Sequence, residues 1–376
     1  MATGVYAVVI IGFWLGGWFG GWPLPDSMAP MQWHSHEMLF GMVAAAIAGF
    51  LLTAMSNWTG AALLSGKGLM ALFALWLAGR LAMWFAVWIP GWLVAAIDLA
   101  FLLTVAIYAW RVIHQAGNRR NLPIVAMVAV LWLANLAFHV GILEARPELV
   151  QRAEWGTMML VVLLMVVIGG RIIPAFTRNW LNRHGLDTGP VRSWQAVEAT
   201  SMLLTVLVLI LVAAGANVQL TGSVALLAGL ANAIRLYGWA GWHTRRDPLM
   251  WILHLGYAWI PIGLVLMGLA PWLDAITPSA WLHALGTGAM GALILGVMTR
   301  VCLGHTGRIL TLPSSLVVAY WLILAAATIR IAAALAWLPY QPAVIAAGLA
   351  WMAAFLIFVV AYWPILSQPR ADGRPG

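Results

Sequence analysis

Cysteine occurs once, at Cys302, and charged side chains are scarce, 19 basic and 11 acidic in 376 residues. A lone thiol excludes an intramolecular disulfide, a cysteine-ligated zinc or iron–sulfur site within one chain, and the Cys-x-x-Cys-His attachment of a covalent haem. Metal ligation, if there is any, falls to histidine. Soluble domains carry about 25% charged residues, so the 8% found here excludes a water-soluble globule. No long polar stretch is present either: the longest, Arg171 to Trp194, is too short to bury a core of its own. The opening residues, Met-Ala-Thr-Gly-Val-Tyr, lack the basic lead of a secretory signal, so the first apolar run is expected to be a retained, short helix. The net charge of +8 then reports membrane topology, and no nucleic-acid partner is expected.

What the chain has instead is apolar length, 64% of its residues. A hydrocarbon core of about 30 Å takes roughly 20 residues per helix. Proline, glycine and arginine punctuation cuts the sequence into twelve apolar runs, at about 3–22, 34–56, 68–89, 91–111, 122–142, 155–174, 194–214, 219–239, 249–270, 279–301, 313–337 and 342–365. The expected fold is an all-α polytopic membrane protein, a single transmembrane domain over residues 1–376 in a lipid bilayer. Basic residues sort between alternate loops. Lys67, Arg111, Arg119, Arg120, Arg171, Arg178, Arg183, Arg192, Arg235, Arg245, Arg246, Arg300, Arg308, Arg370 and Arg374 fall on one side, and only Arg146 and Arg152 on the other. By the positive-inside rule both termini are expected in the cytoplasm. Trp22, Trp33, Trp58, Trp180, Trp242 and Trp272 lie near run ends, where interfacial anchors belong.

Arg80 and Arg330 fall inside apolar runs, and a charge at that depth faces the bundle interior with a partner. Arg80 stands ten residues before the turn at Pro90 and Asp98 eight after it, so one helical hairpin brings both to the same depth. A structural Arg80–Asp98 pair is the plain reading. Trp76 and Trp84, one turn to either side of Arg80, are placed to stack on it or to face lipid. Arg330 has no carboxylate at its level.

Nine histidines divide by the same topology. His34, His36, His139 and His283 gather near the outer face, His254 and His305 near the inner one, while His114, His184 and His243 stand in inner loops beside arginines. His34 and His36 cannot share a helix face, but at a helix start both rings can converge on one metal, with Glu37 accepting a ligand N–H from behind. Asn135 and His139 stack one turn apart. His283 heads a glycine-rich run, Gly286, Gly288 and Gly291, that admits a neighbouring helix or a flat macrocycle. The inner pair, with Trp251 and Tyr257 nearby, can hold a metal, bind a quinone headgroup or cap helices.

An internal echo links the second and tenth runs. Setting His36 on His283 aligns Gly41 with Gly288, Ala45 with Ala292, Ile47 with Ile294, Gly49 with Gly296, and Thr59-Gly60 with Thr306-Gly307, seven identities in 25 positions. The sixth run offers Glu154 where these two have histidine. Three four-helix units would follow, resembling the core subunit of haem–copper oxidases.

Several blocks, in order, resemble the NnrS family: His34-Ser-His-Glu-Met-Leu-Phe-Gly through to Asn57-Trp-Thr-Gly60, Asp247-Pro-Leu-Met-Trp-Ile-Leu-His254, His283-Ala-Leu with Gly288-Ala-Met-Gly, and Met298-Thr-Arg-Val-Cys-Leu-Gly-His305-Thr-Gly-Arg308. Ser56 departs from the proline usual before Asn-Trp-Thr-Gly. The resemblance implies a haem- and copper-containing protein of the bacterial inner membrane, associated with nitric oxide and nitrosative stress. Imidazole suits both metals. The expected cofactors are non-covalent b-type haem, with His36 and His283 as axial ligands and Arg330 and Arg80 on its propionates, and copper, with His34 and His139 preferred. The competing haem placement uses His254 and His305, with Arg300 and Arg308. The expected activity is redox or gas-ligand handling, as in a haem–copper oxidoreductase acting on nitric oxide, fed by a quinol or a redox protein. A twelve-helix secondary transporter or a haem or copper sensor without catalysis are the alternatives. Transporters of that size show two similar halves, which are not found here.

Overall fold

The computed structural model describes residues 1–373; Arg374 lies outside the described residues. Among them there are helices and no strand. In hydrocarbon every backbone polar group must be satisfied within its own segment, which apolar runs of this length achieve as helices. Twelve helices are long and apolar enough to cross a membrane, so the chain is a multi-pass membrane protein. They are α1 (Ala2–Phe19), α2 (Pro30–Thr59), α3 (Gly66–Trp84), α4 (Gly91–Gln115), α5 (Leu122–Leu143), α6 (Pro147–Arg183), α7 (Gln195–Ala214), α8 (Val218–Gly238), α9 (Pro248–Leu269), α10 (Pro278–His305), α11 (Ser314–Ala334) and α12 (Tyr340–Ser367).

Local chemistry sets their ends. Pro30, Pro248 and Pro278 occupy first helical positions, where the missing N–H costs nothing. The Asn217 side chain accepts from the Gln219 and Leu220 N–H groups to start α8, and Asp247 accepts from Leu249 to start α9. Gly60 and Gly215 end α2 and α7 in the left-handed conformation.

The sixth run is longer than its apolar core suggested. At 37 residues and about 1.5 Å per residue, α6 outruns a bilayer core, so Arg171, Arg178 and Arg183 ride on a helix and not in a loop. Arg235 and Arg300 also leave the loop set: both are buried side chains, on α8 and α10. The tryptophans divide as well. Trp22, Trp242 and Trp272 are exposed, as anchors should be, whereas Trp33 and Trp180 are buried in the protein and anchor nothing.

The chain forms two compact units rather than three, one of residues Gly16–Leu160 and one of Met1–Leu15 with Val161–Gly376. In the first, α3, α4 and α5 pack as successive hairpins beside α2. In the second, α7 packs on α8, α8 on α9, α9 on α10, and α11 on α12. Two helices carry a π-helical insert. In α2 it covers Glu37–Val43, beginning at the residue after His36; in α10 it covers Ala284–Met290, beginning at the residue after His283. Such inserts widen the helix locally and recur at functional sites.

Candidate metal centre

The first unit buries a polar cluster built from α2, α3, α4 and α5. Arg80 on α3 donates to Glu37 on α2 through one amino group and to Asp98 on α4 through the other. The hairpin pairing expected for Arg80 and Asp98 is present. Trp76 is buried, and its indole N–H donates to the Gly41 carbonyl inside the π-helical insert, 3.0 Å away. Trp84 packs edge-on against Trp33 and hydrogen-bonds Glu37.

Asp98 uses its other oxygen toward α5 and α2. Its Oδ2 lies 2.9 Å from His139 Nε2 and 3.2 Å from His36 Nε2, and accepts from Asn135 Nδ2 at 2.7 Å. Behind His36, Nδ1 is 3.1 Å from Glu37 Oε1, while Nε2 is also 3.1 Å from Asn135 Oδ1. Phe40 and Phe138 close over the His36 ring, with centroids 5.1 and 4.8 Å away. His36 and Glu37 are 0% exposed and Asp98 is 2% exposed. One ligand atom from each of His36, Asp98 and His139 lies within 4.8 Å of the other two.

Charge counting says what this arrangement wants. Two carboxyl groups face one guanidinium in the buried interior, and with both ionised the cluster carries one negative charge in excess, which burial makes costly. Both nitrogens of His36 point at oxygen acceptors. A cation at Nε2, either a proton or a metal ion, satisfies both conditions at once. The parts match a metal site with its supports: two imidazoles and a carboxylate converge, Glu37 holds the distal nitrogen of one imidazole, and Arg80 restrains both carboxylates.

The other expected residues lie elsewhere. His34, two residues before His36, is outside the convergent group. Its neighbour Ser35 donates to Glu154 on α6. His283 and Arg330 lie in the second unit, where both bond Ser279: His283 Nδ1 is 2.8 Å from its carbonyl, and Arg330 Nη2 is 3.0 Å from its hydroxyl. His254 Nδ1 is 3.1 Å from the Met250 carbonyl and Nε2 is 3.3 Å from Thr177 Oγ1. It borders a cavity of about 850 Å³ whose walls include Trp251, Ala258, Trp321 and Arg245. Arg300 is covered by the Phe176 ring at 4.1 Å, and His305 is half-buried at the end of α10. His114, His184 and His243 are exposed, though His114 rides on the last turn of α4 and not in a loop.

The second unit also buries a polar cluster that was not among the expected sites. Arg235 on α8 pairs with Glu198 on α7, donates to the Val166 carbonyl on α6 at 2.8 Å, and reaches Tyr257 Oη on α9 at 3.0 Å. Tyr257 in turn donates to Asn232 at 2.6 Å. A β-carbon on Gly170 would overlap the Arg235 guanidinium, so a larger residue there must displace that end of the arginine from its partners. The available signal was an i, i+3 polar pair, Asn232 and Arg235, within an otherwise apolar run.

The family model described as NnrS protein matches residues 1–370 of the chain. No curated protein matches it.

Proposed function

The chain belongs to the NnrS family, and from that premise we propose that the His36–Asp98–His139 cluster is a metal centre that handles nitric oxide or a related small ligand. Family membership supports a nitric-oxide-related membrane protein; the convergence of three buried ligand atoms in a cluster with one unbalanced negative charge carries the finer reading. Two imidazoles and a carboxylate suit a first-row transition ion, and copper stands highest in the divalent affinity order. Bound there, the metal would supply a coordination position for the small ligand and an electron to exchange with it. The protein's own part is positional. Glu37 orients His36, Asn135 and Arg80 fix the two oxygens of Asp98, and Phe40 and Phe138 keep water off the imidazole.

For b-type haem, the His36 site is the poorer match, because Phe40 and Phe138 pack against its ring and both amino groups of Arg80 are taken by carboxylates. The cavity beside His254 is the better match among the described residues. Its volume and apolar walls suit a macrocycle, His254 offers an imidazole once Thr177 releases Nε2, and Arg245 is at hand for an acidic edge. The positive-inside count supports cytoplasmic termini, and membership of the family supports a bacterial inner-membrane location.

Metal analysis tests the centre directly. Protein purified from copper- and iron-replete cells is expected to carry about one metal per cluster, reduced at least tenfold in Asp98→Asn and in His139→Ala, the scale on which lost metal-site groups act. Unchanged metal content in both variants would overturn the assignment. Acid should release the ion, since protons compete for the same imidazole nitrogens.

A further inference from the structure

The echo between α2 and α10 extends through the structure well beyond its seven identities. After the π-helical inserts that begin at Glu37 and Ala284, both helices end alike: Thr59 Oγ1 donates to the Met55 carbonyl and Thr306 Oγ1 to the Cys302 carbonyl, each at 2.7 Å. The next residues, Gly60 and Gly307, take φ of 72° and 69°. The helices that follow repeat the pattern. α3 carries Arg80 and is followed by Trp88, Ile89 and Pro90; α11 carries Arg330 and is followed by Trp337, Leu338 and Pro339. Pro90 and Pro339 then start α4 and α12 with nearly the same backbone, φ and ψ of −53° and 132° against −55° and 126°. The segments 30–98 and 278–347 thus share an order of features: histidine, π-helical insert, Thr-Gly end, arginine and proline start.

The two segments differ where the chemistry lies. Glu37 of the first corresponds to Ala284 of the second, and Asp98, eight residues past its proline, corresponds to Ala347. The second segment keeps the histidine and the arginine and omits both carboxylates. Arg330 is accordingly 8% exposed, with no carboxylate partner among the described residues. Its Nη2 donates to Ser279 Oγ, the Tyr340 ring lies 5.9 Å from its guanidinium carbon, and its Nη1 is buried without a hydrogen-bond partner. A guanidinium buried with one amino group unpartnered favours an anion beside it, as two carboxyl groups on one guanidinium favour a cation.

We propose that Arg330 and Ser279, beside His283, form an oxyanion-binding site, the charge-inverted counterpart of the metal centre. The ligand is a phosphate or carboxylate group that takes two N–H donors from the guanidinium side and the Ser279 hydroxyl. A lipid headgroup and a free inorganic anion share that chemistry. The proposal stands whether or not the first segment holds a metal.

The test uses the full-length protein in a phosphate-free maltoside detergent, with two variants. Arg330→Met keeps the apolar stem and removes the charge; Ala347→Asp supplies the carboxylate of the first segment. Native mass spectrometry after addition of phosphatidylglycerol reads the lipid source, and the unfolding midpoint in millimolar inorganic phosphate, against chloride at equal ionic strength, reads the free one. Wild-type protein is expected to retain one phosphatidylglycerol or to gain stability specifically with phosphate, and both variants to bind at least tenfold more weakly with their metal content unchanged. Retention of lipid assigns the site to a headgroup, and a phosphate response to a free anion. If wild type binds neither probe better than Arg330→Met, the proposal fails. Wild-type binding by a folded Ala347→Asp overturns it equally; should that variant not fold, Arg330→Met decides.

Discussion

Arg80 and Arg235 are both buried arginines on apolar helices, and each ties four helices together, yet their surroundings differ in one respect that decides what each can do. Around Arg235 the charges balance, one guanidinium to one carboxylate, and Val166, Tyr257 and Asn232 meet the remaining hydrogen-bonding groups. Nothing further is called for. Around Arg80 two carboxylates meet one guanidinium, and two imidazoles point into the same space. A closed account marks a clamp, while a surplus of one sign marks a place for a ligand.

The sharpest challenge to that distinction is to remove each arginine. Arg80→Met strands two fully buried carboxylates, and should cost about 3–5 kcal/mol, seen as a large fall in the unfolding midpoint or as failure to accumulate folded protein. Arg235→Met strands Glu198, whose side chain is 26% exposed and reaches water, so the loss should be smaller, about 1–3 kcal/mol. Equal losses would erase the contrast. Next in size is Gly170→Ala, which drives a methyl group into the Arg235 guanidinium and should cost about 1–3 kcal/mol while metal content stays at the wild-type value. A metal deficit in that variant would show that the clamp is part of the centre. Tyr257→Phe deletes one hydroxyl and two hydrogen bonds, for about 1–2 kcal/mol by thermal unfolding. Asp98→Asn is of comparable size, about 1–3 kcal/mol, because it removes a charge but turns an amide donor toward the Arg80 donor or toward the Asn135 and His139 donors. Metal should be lost along with that stability, and retained metal would class Asp98 with the clamps.

How far the sequence foretold these clusters depends on how local each relation is. Arg80 and Asp98 sit at matched distances from one tight turn, so simple counting placed them together. Asn135 and His139 share a face by helical spacing and do meet one carboxylate. That His36 rather than His34 joins them depends on the packing of α2 against α5, which no spacing encodes. Arg235 was misread because it lies near the end of its run, where arginine usually means a loop; only the Glu198 side chain from another helix reveals it as interior. The twelve spans themselves were legible because apolar length is a bulk property. The extent of α6 was not, since a helix continues through polar sequence without any apolar signal.

The π-helical insert in α2 has a mechanical meaning. An α-helix is a rigid shaft in which each residue fixes the azimuth of every other, about 100° apart. Glu37–Val43 acts as a coupling between two shafts. Ala44–Thr59 takes its angle from broad apolar packing, and Pro30–His36 is indexed separately by a few polar ties at its tip. Excising one residue from the coupling would weld the shafts together and swing His36 away from Asp98 while the apolar half kept its seat, so the angular setting of the centre resides in seven residues that contribute no metal ligand.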